Sequence, residues 1–127
     1  MDIEVKEALI RKFVEAYNCK NVAGMLDCVA EDVVFRNMSG GMVNMEIYGR
    51  SSLEELANKT RDLFKTRTQT IKSINFMGEK ARVDVRFEAV FAMNLPNGVK
   101  KGDKMKVDGY SEYDFRNGLI SYIADCS

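Results

Sequence analysis

Apolar positions recur at helical intervals in the first part of the chain and at every second residue in the last part. Over Glu4–Asn18, Leu9, Phe13, Ala16 and Tyr17 fall at i, i+4, i+7 spacing with Ile10 and Val14 beside them, which predicts an amphipathic helix. Asn21 can cap a second, shorter helix whose stripe is Val22, Met25, Leu26 and Val29. Glu31-Asp32 ends it, and Val33–Met38, rich in β-formers, predicts the first strand. Ser39-Gly40-Gly41 breaks that strand and leaves Met42–Tyr48 as a loop or short edge strand. Ser51-Ser52-Leu53-Glu54 has the Ser-x-x-Glu form of a capping box. The helix after it sets Leu53, Leu56, Ala57, Thr60, Leu63 and Phe64 on one side and runs towards Thr66.

Beyond that point the period changes to two. Thr68–Met77 predicts a strand, Gly78-Glu79 a turn, and Lys80–Met93 a long strand with Ala81, Val83, Val85, Phe87 and Ala89 on one face. Asn94–Gly102 holds the only proline, Pro96, and reads as a loop. Met105–Asp125 predicts a hairpin turning at Arg116-Asn117-Gly118. In its first arm Met105, Val107, Gly109, Ser111, Tyr113 and Phe115 alternate with mostly charged residues, so one face is apolar and the other is wet. The order α-α-β-α-β-β-β-β predicts an α+β domain with helices on one face of an antiparallel sheet. Such a sheet curls around its helices and can leave an apolar cavity between them.

Composition narrows the chemistry. A chain of 127 residues fits one domain, residues 1–127, large enough for one core. Lys+Arg equals Asp+Glu at 19 each, so no net field points to nucleic acid or an anionic membrane. The basic residues that gather around Lys59–Arg67 and Lys100–Lys106 read as solvated surface. Cys19, Cys28 and Cys126, odd in number and without CxxC spacing, read as reduced thiols. No apolar run approaches the ~20 residues of a membrane span, and the acidic start Met1-Asp2-Ile3-Glu4 is unlike a signal peptide. A cytoplasmic location is the expectation. There is no histidine, which excludes histidine-based triads and histidine metal sites, and neither a metal nor a cofactor is expected.

Several short runs together are familiar: Phe13-Val14-Glu15-Ala16-Tyr17-Asn18, Met25-Leu26, Glu31-Asp32-Val33-Val34-Phe35, Tyr48-Gly49-Arg50 before a helix, and Phe115-Arg116-Asn117-Gly118-Leu119-Ile120. In this order and spacing the chain resembles the SnoaL-like branch of the nuclear transport factor 2-like superfamily over nearly its whole length. The resemblance implies a strongly curved sheet, mixed or antiparallel, wrapped around three N-terminal helices and forming a cone with an apolar pocket. It also implies a homodimer through the outer sheet face. The superfamily includes steroid isomerases, polyketide cyclases, limonene epoxide hydrolases and scytalone dehydratases, so it does not by itself assign an activity.

The enzyme branches can be tested residue by residue. Where steroid isomerases carry a tyrosine and two aspartates, this chain has Phe13, Asn37 and Ser111, which cannot supply those groups. Arg82-Val83-Asp84 looks like half of the epoxide-hydrolase Asp-Arg-Asp set. The family positions, however, fall near Val85 and Phe87, and strand alternation turns Asp84 outward. The second family aspartate does land on Asp125, which becomes the catalytic candidate.

The face on which Asp125 lies depends on the hairpin. With a three-residue loop Phe115 opposes Leu119, and Asp125 shares the pocket face with Ser111 and Gly109. With a two-residue Asn117-Gly118 turn Phe115 opposes Ile120, and Asp125 joins Tyr110 and Glu112 outside. The resemblance favours the first. The expected pocket lining is Phe13, Tyr17, Phe35, Asn37, Leu56, Phe87, Ser111, Tyr113 and Ile123, with Tyr48 as a further hydrogen-bond donor and Met38, Met42 and Met45 near the mouth. Two functions fit: a small-hydrophobic-molecule binder, or a cofactor-free isomerase, cyclase or hydrolase using Asp125 as acid or base.

Overall fold

In the computed structural model, which describes residues 1–127, the chain begins with helix α1, Ile3–Asn18. Asp2 caps it by accepting the Val5 amide at 2.9 Å, and Ile10, Phe13, Val14 and Ala16 form its buried stripe. Asn21 caps the short helix α2, Val22–Leu26, by accepting the Gly24 amide at 3.0 Å. Strand β1 then runs over Val29–Ser39, four residues earlier than the sequence pattern predicts. Val29 therefore belongs to the sheet and not to the α2 stripe. The cause is tertiary: the Ile120 amide donates to the Cys28 carbonyl at 2.8 Å and draws this segment onto the last strand.

Gly40 and Gly41, both at positive φ, turn the chain into β2, Met42–Tyr48. The segment read as a loop or edge strand is an edge strand, paired antiparallel with β1. Helix α3 spans Arg50–Arg61, and its N-cap is Gly49 at φ 93, without a side-chain cap. The Ser51–Glu54 capping box is thus unused. The Gly49 amide donates to the Val33 carbonyl and Arg50 Nη2 to the Val29 carbonyl, each at 2.7 Å, and these bonds start the helix earlier. Leu63 and Phe64 leave the helix, because Phe64 opens β3, Phe64–Met77, opposite Phe91. Strands β4, Lys80–Phe91, β5, Lys104–Arg116, and β6, Leu119–Cys126, complete the chain.

The six strands lie in the order β2-β1-β6-β5-β4-β3, antiparallel throughout except for the parallel β1–β6 pair. Register shifts interrupt the β1–β2, β1–β6, β3–β4 and β5–β6 ladders, and such bulges bend strands and deepen twist. The curved sheet turns its inner face to the helices. Ile10, Val29, Val83, Tyr113 and Ile120, each 2% exposed or less, mark the core between them. The α+β reading holds, and the sheet, expected as mixed or antiparallel, is the mixed one.

Candidate functional site

Asp125 reaches the inner face by a route that combines both hairpin alternatives. Asn117 and Gly118, at φ 53 and 81, form a two-residue turn, and Phe115 opposes Ile120. That register alone would send Asp125 outward. Between Asp114 and Phe115 the ladder slips by one residue, leaving Ser121 unpaired, so that Tyr113 opposes Ile123 and Ser111 opposes Asp125. A single extra residue in a strand reverses the facing of everything after it. Asp125 therefore joins Ser111 on the pocket side, through the turn that the family resemblance disfavoured.

Ser111, 1% exposed, donates its hydroxyl to Asp125 Oδ1 at 2.6 Å. Burial pushes the Asp125 carboxyl above the ordinary carboxylate range, and the Ser111 bond only partly counters it. The residue keeps a little exposure because it borders a hollow, yet protein surrounds its carboxyl.

That hollow consists of two adjoining chambers. The inner one, about 260 Å³, lies between the helices and the sheet. Phe13, Tyr17, Phe35, Asn37, Leu56, Phe87 and Tyr113 all line it, together with Asp125. Its wall is aromatic: Phe13 meets Tyr113 edge-on at 6.4 Å, and Phe64 meets Phe87 at 5.7 Å. The outer chamber, about 240 Å³, is bordered by Val85, Val107, Gly109, Ser111 and Cys126. Tyr17, Asn37, Gln69, Phe87 and Asp125 are common to both and form the waist between them.

The remaining expected residues lie elsewhere. Ile123, 1% exposed, is packed in the core, and Tyr48, 61% exposed, stands at the end of the edge strand. Neither borders a chamber. Met45 lines the inner chamber, whereas Met42 is 73% exposed and Met38 touches Cys126. Asn37 sits beside Asp125 in the parallel ladder and donates its amide to Asn44 Oδ1 at 3.0 Å. Asp84 is on the outer face, bonded by Ser73 at 2.8 Å and by Arg82 at 3.4 Å, as its strand position predicts.

Two polar residues of the site region were missed: Gln69 was not singled out, and Arg67, read as solvated surface, is buried. Gln69 belongs to the waist, and Arg67, 3% exposed, donates Nε to the Tyr17 carbonyl at 3.1 Å and lies 3.8 Å over the Tyr17 ring. Their signal was present: Arg67, Gln69 and Ile71 alternate along β3, so one inward residue fixes the others. Burial raises the Tyr17 hydroxyl to about 12, with Arg67 pulling it down and Asp125 pushing it up. Burial, then Asp125, also raises Tyr113. The chain gathers no group of three or more Cys, Asp or Glu side chains able to hold a metal ion. The site thus offers one readily protonated carboxyl, its serine partner, and neutral hydrogen-bonding groups in an apolar enclosure.

Residues 10–123 match the family model described as a SnoaL-like domain. No protein of curated function matches the sequence. Among solved structures, a candidate polyketide cyclase from Xanthomonas campestris pv. campestris is 19% identical at a TM-score of 0.79, over 98% of this chain and 90% of that one. AclR, a candidate hydroxylase from Streptomyces galilaeus, is 16% identical at 0.77, over 98% and 89%. An epoxide hydrolase from M. tuberculosis is 13% identical at 0.74, over 94% and 79%. Identities this low establish the fold and nothing finer.

Proposed function

The chain belongs to the family of SnoaL-like domains, and from that premise we propose that it binds a small, largely apolar molecule in the paired chambers. The observation that carries this reading is the convergence of two mainly apolar hollows on one enclosed carboxyl. Pockets of this make-up, apolar walls with a few placed polar groups, suit small hydrophobic guests. The neutral dye Nile red tests it. The wild type is expected to bind the dye with enhanced fluorescence. Leu56→Trp, which places an indole in the inner chamber, is expected to weaken binding about tenfold or more, the effect of losing roughly 1.4 kcal/mol. Equal affinity in the variant would show that the dye sits elsewhere and would defeat the proposal.

A second reading rests on the Asp125 environment. A carboxyl held above its usual range and fixed by Ser111 is suited to give or take a proton on a bound molecule, as in cofactor-free isomerisation, cyclisation or hydrolysis. Relatives in fold described as a cyclase and an epoxide hydrolase support this class of chemistry. Asp125→Asn separates the readings: dye affinity is retained in both, and any turnover found in the wild type disappears only in the second.

The outer sheet face supports a homodimer by its chemistry. Arg82 stacks 3.9 Å over Tyr110 there, and Arg86 pairs with Asp108 at 2.9 Å, a pattern of charge and aromatic surface that a second copy can complement. Sedimentation at micromolar concentration is expected to give twice the 14.4 kDa chain mass, and a particle of one chain mass would defeat this assignment.

A further inference from the structure

Arg67 is a buried cation without an anion. It is only 3% exposed, and Nη1 and Nη2 have no hydrogen-bond partner. Only Nε is satisfied, by the Tyr17 carbonyl at 3.1 Å, while the guanidinium lies 3.8 Å over the Tyr17 ring. The stacking offsets part of the desolvation of the charge. An unpaired buried ion nevertheless keeps a desolvation penalty that stacking alone does not repay. A guanidinium does not escape that penalty by losing its proton.

Its position relates it to the chambers. On β3, Arg67 is one alternation from Gln69 on the inner face, and Gln69 borders both chambers. The Tyr17 ring that covers it is also part of the waist. Phe64 and Phe87, which flank this stretch of β3 and β4, line the inner chamber as well. The two bare nitrogens are the paired end of the fork, which takes both oxygens of a carboxylate when the third nitrogen is engaged elsewhere.

We infer that the guest of the chambers is an apolar molecule bearing a carboxylate, and that Arg67, uncovered by a swing of the Tyr17 ring, is its counter-ion. The inference rests on the cavity-binding reading and narrows it to one chemical class. A guest so placed puts its charged end at Arg67 and its apolar body in the aromatic chamber. Asp125 does not oppose it: burial favours its neutral form, which does not repel the incoming anion. Nε remains on the Tyr17 backbone throughout, so the exchange needs a side-chain rotation and no movement of α1.

Octanoate and octanol, matched in chain and differing in charge, test this as competitors of Nile red. Octanoate is expected to displace the dye at a concentration about tenfold or more below that of octanol, in keeping with the strength of charge-assisted hydrogen bonds. Arg67→Met is expected to erase the difference while leaving octanol unchanged, and Arg67→Lys to keep part of it. Octanoate labelled at the carboxyl carbon gives a readout that needs no variant. Bound beside Arg67, its carboxyl titrates below the free acid; in an apolar chamber without a cation it titrates above. Equal displacement by acid and alcohol, an acid preference that survives Arg67→Met, or an upward carboxyl titration overturns the inference while dye binding keeps the cavity reading intact. A wild type that takes up neither dye nor competitor overturns both.

Discussion

Gly109→Ala is expected to lower the free energy of unfolding by about 2–3 kcal/mol, the upper part of the range for forcing an extra methyl into a packed interior. A β-carbon built on Gly109 would lie 2.4 Å from the Cys126 carbonyl oxygen and 3.4 Å from its carbon. Backbone, unlike the end of a flexible side chain, cannot swing aside. Gly109 needs no positive φ here; it is required for space alone, where the end of β6 comes against β5. Relief would push Cys126 away and take Asp125, the next residue, off Ser111. The variant should therefore lose stability and Nile red affinity together. Urea unfolding monitored by circular dichroism measures the first. An unchanged midpoint would mean that β5 and β6 do not approach each other this closely.

The same strand pair shows how far the amino-acid pattern can be read. Alternation over Met105–Phe115 places Ser111 and Tyr113 inward, where both are buried, because a period of two is a local property of extended backbone. The facing of Asp125 is not local. It depends on the slip that leaves Ser121 unpaired, and neither loop alternative contains one. A register counted outward from a turn accumulates every bulge it has not foreseen. Helix boundaries failed for a related reason: the capping box at Ser51 is a sound local signal, but bonds from Gly49 and Arg50 to β1 override it. Val29 likewise has helical spacing and is drawn into the sheet by Ile120.

The aromatic lining was legible because large apolar residues on inward positions must meet one another wherever the sheet closes over the helices. Ile123, assigned by the same logic, and Tyr48, assigned as a hydrogen-bond donor, both lie outside the chambers, one inside the solid core and one on an exposed edge. Pattern reports which face a residue is on, not whether a void or a neighbour lies opposite. Arg67 and Gln69 were hidden by their type, since a polar residue in an alternating strand is taken as outward unless an apolar partner two positions away fixes the phase.

Asp125→Asn is expected to be more stable than the wild type at neutral pH and equally stable in acid, because folding raises the titration of the carboxyl that asparagine lacks. In the unfolded chain Asp125 ionises near the ordinary 3.8; in the fold, burial keeps it protonated to a higher pH. Between those two points the folded state holds the extra proton. The stability tied to this carboxyl is therefore complete below the unfolded value and is lost as pH rises through the folded one. Asparagine has nearly the same shape and does not titrate, so its advantage opens over that interval and then levels off. Other carboxylates act in the opposite sense. Asp108, held below its usual range by hydrogen bonding to Arg86, favours the fold above its unfolded value and loses that contribution in acid. Because that term is common to both proteins, the difference between their urea midpoints across pH isolates Asp125. A constant gap, or a less stable asparagine variant at neutral pH, would mean that the carboxyl is solvated. The proposed acid–base reading would then lose the one group that carries it.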